Sequence, residues 1–453
     1  MKAFIDKYFG ISTSGSNFRT EIIAGVTTFM TMAYILAVNP QILGSTGMDK
    51  GGVFVATVAA AVIGTLVMAL LAKYPFALAP GMGLNAFFAY SVVVGLGYSW
   101  QMALTAVFVE GIIFMILSAF KVREAIFNAI PQDIKYAVTA GIGLFITFIG
   151  LKGAGLIASH SVTFVTLGDM GLAPAMLAFI GIMLTSILLI KNVKGALLLG
   201  IVLTYALGII AQLSGWYDVN PEIGNFSLIP KLENLFKIPD ISTVAFKLEF
   251  HNIFTIDFLV VVFAFLFVDL FDTIGTVIGV ATKGNYLDKD GKFPRINKVL
   301  FADAIATTFG ALLGTSTTTT YVESSTGVVA GGRTGFTSVV VAVLFIVALF
   351  FAPIFLAVPS FAVAPVLVIV GLMMMESVVK INFTNFEEAV PAFLTIVMMS
   401  FAYSIAEGII FGVISWVVIK LLIGKTSQIS IVMLILAILF TAKMLFSSAG
   451  ISS

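Results

Sequence analysis

Cysteine is missing from this chain of 453 residues, and histidine is nearly so. The absence of cysteine excludes disulfide bonds, thiolate nucleophiles and cysteine-ligated metals. The two histidines, His160 and His251, fall in predicted loops, so we expect any proton transfer to use carboxylates and not a histidine relay. Charge is scarce too: Asp, Glu, Lys and Arg make up 10% of the chain, against about 25% in soluble domains. A chain of this composition needs lipid as its solvent.

Several classes of function are also excluded by what the sequence lacks. The formal net charge of +1 argues against nucleic acid as a partner. The sequence has no nucleotide-binding P-loop, no His-x-x-Glu-His zinc motif and no Gly-x-Ser-x-Gly nucleophile turn. We therefore expect a protein that is not an enzyme, needs no cofactor or metal, and draws its energy from a gradient and not from ATP.

Long apolar runs are what the chain has in abundance, and each of about 20 residues is enough to cross a bilayer as a helix. We predict an all-α integral membrane protein with about 14 transmembrane segments, seven on each side of a polar stretch at 215–256. A further apolar run covers 429–445, and residues 1–20 read as an amphipathic segment in the membrane interface. The predicted spans are 21–43, 52–72, 80–96, 101–120, 134–151, 173–190, 195–214, 257–281, 298–314, 319–332, 336–357, 361–378, 389–404 and 406–423.

The distribution of positive charge sets the predicted topology. With a cytoplasmic N-terminus and alternating spans, most of the 24 Lys and Arg residues fall in cytoplasmic loops, as the positive-inside rule requires. Half of the exceptions lie in the 215–256 linker, which is then extracytoplasmic. This arrangement predicts a multi-pass protein of the cell membrane.

The two sets of spans resemble each other weakly. Because seven is an odd number, two such repeats have opposite orientations in the membrane, which is typical of transporters. We predict repeat 1 at 21–214, repeat 2 at 257–424 and an additional C-terminal segment at 425–453. The matching pieces are Ala129-Ile130-Pro131 with Ala357-Val358-Pro359, Pro174-Ala175 with Pro391-Ala392, Lys194-Gly195 with Glu407-Gly408, and Gly64-Thr65-Leu66 with Gly310-Ala311-Leu312.

Two spans at corresponding positions are poor helices. Ala79-Pro80-Gly81-Met82-Gly83 opens the third span, and the threonine run 317–320 opens the tenth. Proline, paired glycines and β-branched residues interrupt or weaken helices. Irregular backbone at membrane depth is tolerated where it is buried or lines a cavity, so these breaks predict a binding site between the repeats. The alternative is two poorly hydrophobic loops.

Carboxylates within the spans are the candidate functional groups, because each is costly in a bilayer. Asp269 and Asp272 lie three residues apart in the eighth span and are predicted to share a helix face, while Glu323 lies in the broken tenth segment. The alternative role for either aspartate is to cap a broken helix or to bond a neighbouring hydroxyl, and the alternative for Glu323 is a position near the membrane surface. Glu110 and Asp303 are further candidates, for which a structural role and a place on a proton path are equally open.

Together these motifs resemble the nucleobase–ascorbate (nucleobase–cation symporter) superfamily, and within it the AzgA-type purine permeases. The resemblance covers essentially the whole chain and is carried by Thr31–Pro40, Gly81–Ala86, Asp269–Thr276 and Thr319–Ser324. It implies a uracil-permease-like fold with spans 1–4 and 8–11 as a core domain, spans 5–7 and 12–14 as a gate domain, and short strands in spans 3 and 10.

The resemblance also implies a substrate site and a function. By resemblance the substrate contacts are Asn85, Asp269, Asp272 and Glu323. The predicted contacts also include Phe87 and Phe88, which follow the break in the third span, and Thr320 and Ser324 of the broken tenth segment. The proton-coupling candidates are Asp269, Asp272, Glu323, Asp303 and Glu110. Either phenylalanine could instead be ordinary packing. The implied function is uptake of a purine base (adenine, guanine or hypoxanthine) by H⁺ symport with alternating access. An anion or other small-solute transporter of the same fold is the alternative, and the preferred base, the choice between H⁺ and Na⁺, and a homodimer are left open.

Overall fold

The computed structural model describes residues 2–119, 130–220, 225–229, 236–251, 253–288 and 293–448. The end of the predicted fourth span lies outside these described residues, as does the end of the C-terminal segment. So do five of the charges on which the topology was predicted, namely Lys121, Arg123, Lys231, Lys289 and Lys292.

The first half of the chain is a series of helices interrupted by one short strand and one short hairpin. Wider π-helical turns extend α4 over Met68–Ala72 and α5 over Phe87–Gly95. The elements are α1 (Lys2–Phe9), α2 (Phe18–Met32), α3 (Ile35–Gly44), α4 (Lys50–Val67), β1 (Leu78–Pro80), α5 (Met82–Ala86), α6 (Trp100–Ala119), α7 (Gln132–Gly153), β2 (Ile157–His160), β3 (Phe164–Leu167), α8 (Ala173–Ile190) and α9 (Ala196–Leu213).

The second half resembles the first in having a short strand between its second and third spans. Its elements are α10 (Ile256–Lys283), α11 (Ile296–Leu313), β4 (Thr318–Thr320), α12 (Ser324–Val329), α13 (Gly335–Ala348), α14 (Ala352–Leu356), α15 (Ser360–Met375), α16 (Phe386–Phe401), α17 (Ile405–Leu422) and α18 (Ile431–Ser448).

Eleven helical segments among the described residues are long and apolar enough to cross a membrane. Three of the predicted spans are too short for that count: the broken third and tenth, and the thirteenth, which is the 16-residue α16. Adding these three to the eleven reproduces the predicted fourteen. The helical membrane fold and the breaks in spans 3 and 10 are confirmed.

Polar residues at the helix starts explain several boundaries. The Asn17 side chain accepts a hydrogen bond from the backbone of α2, Asp49 does so for α4, and Thr255 does so for α10. Each satisfies one of the backbone N–H groups that have no partner within the first helical turn. These caps lie where the apolar runs begin, so a local sequence signal sets the start of each span.

The first span is not the continuous helix that was predicted. It breaks between α2 and α3 at Ala33 and Tyr34, where the Leu36 N–H bonds the Ala33 carbonyl in a tight turn, 3.1 Å. The Thr31 hydroxyl binds the carbonyls of Thr27 and Thr28 just before the break. A hydroxyl that bonds back to the preceding turn weakens and bends a helix, which the apolar pattern did not reveal.

Helix packing divides the spans into two groups. In one, α7 packs along α15 and α16, α16 packs against α17, and α8 packs against α9 and α15. In the other, α11 packs between α4 and α6, and α13 packs against α2 and α4. The division into core and gate domains stays a prediction, and this packing supports it.

Two regions beyond the fourteen spans are more ordered than predicted. Within the described part of the linker, Glu249 exchanges hydrogen bonds with the Thr105 hydroxyl of α6, and the Phe246 N–H bonds Leu312 O of α11 at 2.8 Å. The C-terminal apolar run forms α18, which packs on α17 and is tied to it by an ion pair between Lys443 and Glu407, 2.7 Å.

Candidate functional site

The two broken spans meet in the middle of the molecule. Strands β1 and β4 pair antiparallel, with Leu78 opposite Thr320 and Pro80 opposite Thr318. At the end of the pair, the Gly81 N–H donates to Thr317 O at 3.0 Å. A Cβ at Gly81 would lie 2.9 Å from the Thr319 hydroxyl, so only glycine allows this approach. Corresponding segments of the two repeats thus provide hydrogen-bond partners for each other's backbone N–H and C=O groups within the membrane.

One threonine on each neighbouring helix braces each strand. The Thr65 hydroxyl of α4 bonds both the N–H and the carbonyl of Leu78, at 2.9 and 3.2 Å. The Thr307 hydroxyl of α11 bonds the N–H and the carbonyl of Thr318 in the same manner, at 3.3 and 3.0 Å. This correspondence supports inverted repeats, and it aligns Thr65 with Thr307. The sequence pairing of 64–66 with 310–312 is therefore wrong by one helical turn.

Glu323 and Asp272 are the accessible carboxylates of the site, since both are only partly buried. The Tyr34 hydroxyl donates to Glu323 Oε1 at 2.6 Å, and the Thr319 hydroxyl donates to Asp272 Oδ2 at 3.3 Å. Glu323 directly precedes α12, where the helix N-terminus favours a negative charge. The break in the first span is what places Tyr34 beside Glu323.

Asp269 does not share the surroundings of Asp272, although the two are three residues apart. Asp269 is fully buried, and the hydroxyl of Thr273, one turn further along α10, lies 2.9 Å from Asp269 Oδ1 and 2.9 Å from Oδ2 of Asp303 on α11. Asp303 is also fully buried and accepts a hydrogen bond from the Thr320 N–H of β4 at 3.0 Å. The two aspartates that were predicted to share a helix face therefore differ in their surroundings. Asp269 forms a buried pair with Asp303, whereas Asp272 is accessible.

Buried amide and carboxylate side chains tie the strand ends to their neighbours. The Asn85 carbonyl accepts a hydrogen bond from the Ser316 hydroxyl. Asn39 of α3 donates to Thr315 at 2.9 Å, and Glu110 of α6 accepts from Thr317 at 2.7 Å. All of these side chains are fully buried, so Asn85 and Glu110 are held within the protein around the start of the tenth segment.

The remaining predicted site residues lie within this region, with different surroundings. Phe87 and Phe88 are fully buried, and the Phe87 ring packs edge-on against Phe265 of α10, 4.6 Å between centroids. Thr320 is held by its N–H to Asp303, and the Ser324 hydroxyl accepts from the Ala77 N–H at 3.0 Å. All eight predicted substrate residues therefore belong to the two broken spans or to α10 beside them.

Two residues at the site were not predicted, namely Tyr34 and Thr273, and each positions a carboxylate. A further buried carboxylate lies away from the strand pair: Glu21 of α2 accepts hydrogen bonds from Arg333 N and the hydroxyls of Thr334 and Thr337 at the start of α13. A sequence signal existed for Tyr34 and Thr273, because both lie inside the motifs that carry the resemblance. For Glu21 the only signal was a carboxylate at the start of an apolar run.

The chemistry of this site suits a neutral ligand that presents N–H groups. The named partners of its carboxylates are hydroxyls and backbone amides, which are neutral. A carboxylate accepts hydrogen bonds and repels anions. Its accessible acceptors come from two different elements, Asp272 from α10 and Glu323 from the start of α12, so they can accept hydrogen bonds from the edge of a flat ligand.

Known proteins match this chain over nearly its full length. Residues 19–411 match the model of the Permease family. A protein of Methanocaldococcus jannaschii described only as a permease is 49% identical, over 98% of this chain and 99% of its own. The guanine/hypoxanthine permease PbuG of Bacillus subtilis is 43% identical over 97% of this chain and 99% of its own. The adenine permease AdeP of Escherichia coli is 40% identical over 99% and 97%.

Solved structures share the fold at low identity. The transmembrane domain of the cyanobacterial bicarbonate transporter BicA matches with a TM-score of 0.61 and 17% identity, over 88% of this chain and 97% of its own. Murine Slc26a9, an anion transporter in its inward-facing state, matches with a TM-score of 0.63 and 14% identity, over 94% and 72%. The family match and these relatives show that this chain is a transporter and not an enzyme, and that it belongs to the Permease family of nucleobase–ascorbate transporters.

Proposed function

We propose that this protein takes up purine bases by proton symport through the cell membrane, with its N-terminus in the cytoplasm. The observation that carries the proposal is that the Glu323 carboxylate is partly exposed at the break in the tenth span, where the Tyr34 hydroxyl orients it. The relatives named as adenine and guanine/hypoxanthine permeases support purines as the substrate class. A second copy of the chain in a homodimer stays a prediction.

Recognition follows from the chemistry of the purine edge. A purine is flat and carries N–H donors next to ring-nitrogen acceptors. A carboxylate accepts two such N–H bonds in a planar geometry, and bonds to a charged acceptor are roughly twice as strong as neutral ones. Tyr34 occupies Glu323 Oε1 and so orients the other oxygen for the base, while Asp272 supplies a second acceptor from α10.

The coupled proton is held by Asp269 and Asp303. A threonine hydroxyl has a single hydrogen, yet Thr273 Oγ1 lies 2.9 Å from a carboxylate oxygen of each. Thr273 can donate to only one of them, so the second contact is a hydrogen bond only when that other carboxyl is protonated and donates. Two ionised carboxylates this close in a buried region would also repel each other. The arrangement thus favours one shared proton.

Transport proceeds by alternating access. Asp303 also bonds the Thr320 backbone of β4, so the protonated pair is linked directly to the strand that precedes Glu323. Protonation reduces the buried charge that the substrate-loaded core carries past the gate, which lowers the cost of that movement in a bilayer. In this proposal the two groups of packed helices described above move against each other, the group of α7, α8, α9, α15, α16 and α17 against the group of α2, α4, α6, α11 and α13.

Anion transport is the alternative, because BicA and Slc26a9 share the fold. At 17% and 14% identity these matches carry the fold alone. Carboxylates at the strand pair disfavour an anionic substrate, because they repel its charge. Glu323 lies at the N-terminus of α12, where the helix would otherwise attract an anion.

Uptake in proteoliposomes tests the proposal. Labelled hypoxanthine, guanine and adenine are offered under an imposed pH gradient, with and without a protonophore. We expect accumulation of at least one base that collapses when the protonophore is added. Accumulation that needs Na⁺ and ignores the protonophore would contradict proton coupling, and no accumulation of any base would contradict purine transport. Bicarbonate uptake in the same vesicles tests the alternative.

A further inference from the structure

A cleft separate from the carboxylates opens at the boundary between the two groups of helices, and its lining combines polar side chains with aliphatic ones such as Ile149 and Leu367. It measures about 320 Å³ and lies between α3, the extension of α5, α7 and α15, on the side that the charge distribution predicts to be extracytoplasmic. We call it the outer cleft. The lining residues used below are Gln41, Gly44, Ser45, Lys50, Tyr90 and Ser360.

The polar side chains of the outer cleft present donors. Lys50 Nζ donates to Gln41 Oε1 at 2.8 Å, and Gln41 Nε2 donates to Val358 O at 2.7 Å. An ammonium has three N–H groups and an amide nitrogen has two, so further donors remain on both residues after these bonds are made. The Gln41 acceptor is already used by Lys50. The outer cleft therefore suits a ligand edge that carries acceptors.

The position of Lys50 depends on a glycine. A Cβ at Gly44 would lie 2.7 Å from Lys50 Cγ and 2.8 Å from Cε, so the absence of a side chain at Gly44 makes room for the lysine stem. The stem runs along this surface and carries the ammonium to Gln41. Both residues line the outer cleft, and Lys50, although exposed, is directed along the wall of the cleft by its hydrogen bond to Gln41.

One wall of the outer cleft is aromatic. Tyr90 lies within hydrogen-bonding reach of Ser45, and its ring meets Tyr403 edge-on, 6.0 Å between centroids. Tyr403 has a left-handed backbone, φ 53°, which is uncommon for a bulky side chain and requires support from its surroundings. Lys152 stacks on the Tyr403 ring at 4.8 Å. These contacts hold Tyr90 as a fixed surface on which a flat ring can pack.

We propose that the outer cleft is a subsite where a purine base binds on its way to the carboxylates, with its acceptor edge on Lys50 and Gln41 and its ring on Tyr90. This inference rests on the proposed function. The volume is at the lower end of the roughly 300–1,000 Å³ typical of small-ligand pockets. Tyr90 lies five residues after Asn85 on the same broken span, so the outer cleft and the carboxylate site share one helical segment.

The absence of native cysteine gives a direct test. Ser45→Cys introduces a single thiol at the outer cleft, and Ser161→Cys introduces one in the exposed hairpin loop between β2 and β3 as a matched control. Both are labelled with a membrane-impermeant maleimide in intact cells. We expect excess hypoxanthine to slow labelling at position 45 at least fivefold and to leave position 161 unchanged. Equal labelling with and without base would overturn the subsite.

A second background separates binding in the outer cleft from a conformational response to the carboxylate site. In Ser45→Cys combined with Glu323→Gln, we expect binding at the carboxylate site to be strongly weakened and hypoxanthine still to protect position 45 at a concentration that no longer fills the carboxylate site. Loss of protection in this background would assign the effect to the carboxylate site and overturn the proposal. Normal uptake by the wild type without protection of position 45 overturns the subsite alone, whereas absence of uptake by the wild type overturns the proposed function.

The donor chemistry makes a further distinction. Hypoxanthine has a carbonyl acceptor where adenine has an amino donor, so we expect hypoxanthine to protect position 45 at about tenfold lower concentration. Lys50→Met should abolish this preference, while Lys247→Met, an exposed linker lysine, should leave it intact. Equal protection by the two bases, or a preference that survives in Lys50→Met, would contradict the role of Lys50.

Discussion

Thr273 is the most informative single position for proton coupling. Its hydroxyl lies 2.9 Å from both Asp269 and Asp303, and all three side chains are fully buried. Thr273→Val keeps the branched shape and removes only this hydroxyl. A hydrogen bond to a charged group contributes about 1.5–3 kcal/mol. Removing the hydroxyl should therefore disfavour the shared-proton arrangement by about 10- to 150-fold, at roughly 1.4 kcal/mol for each factor of ten.

The assay compares two modes of transport in proteoliposomes. Uphill accumulation of hypoxanthine needs the proton to bind and to be released in every cycle, whereas exchange of internal for external hypoxanthine needs only the base to cross. We expect Thr273→Val to lose at least nine-tenths of its accumulation and to retain exchange. Thr273→Ser keeps a hydroxyl and serves as the control, with accumulation near that of the wild type.

The reasoning would be refuted by a Thr273→Val protein that accumulates hypoxanthine as the wild type does under the same pH gradient. It would also be refuted by an equal loss of accumulation and exchange in a protein that still folds, because that result would place Thr273 in the passage of the base itself. Thermal unfolding in detergent establishes that the variant is folded before either comparison is made.

Three further predictions follow from individual contacts. Glu323→Gln should weaken hypoxanthine binding by about 10- to 150-fold in isothermal titration calorimetry, because it removes a charged acceptor; unchanged affinity would exclude it from the site. Thr307→Val should destabilise the protein by about 1–3 kcal/mol through the lost brace on β4, and Thr307→Ser should not, as read from thermal unfolding. Gly371→Ala should destabilise by about 1–3 kcal/mol, because its Cβ would overlap the Gly143 carbonyl and the Thr147 hydroxyl. Gly275→Ala meets nothing within 4 Å and is the control, so equal loss in both would contradict this prediction.

Local patterns in the sequence predicted most of the fold. The apolar runs predicted the helices, and proline, glycine and threonine near Gly81 and Thr317 predicted the two breaks. The break at Tyr34 was missed because it interrupts an apolar run, in which helical propensity and hydrophobicity both favour a continuous helix. The short strands in spans 3 and 10 were expected only from the resemblance, since strands this short have no alternating pattern, and the pairing of β1 with β4 was not predicted.

The candidate site was predicted in its composition but not in its grouping. Asp269 and Asp272 lie close together in the sequence, yet Asp269 is bridged to Asp303 on another helix while Asp272 meets β4. Helical spacing says which residues lie near one another on a helix, and says nothing about which helix packs against them. The outer cleft was not predicted at all, since its residues come from four separate segments.

The amino-acid sequence by itself determined that the chain is a multi-pass membrane protein with broken spans and buried carboxylates, because composition, hydrophobic length and helix breakers act locally. Only the tertiary structure decided which carboxylates are bridged by Thr273, which remain accessible, and where a cleft lies between the two groups of helices. These outcomes depend on contacts between residues far apart in the chain, such as Tyr34 with Glu323 and Thr273 with Asp303. Hydrogen bonds act over about 3 Å, so only the packing of the helices determines which of these groups meet.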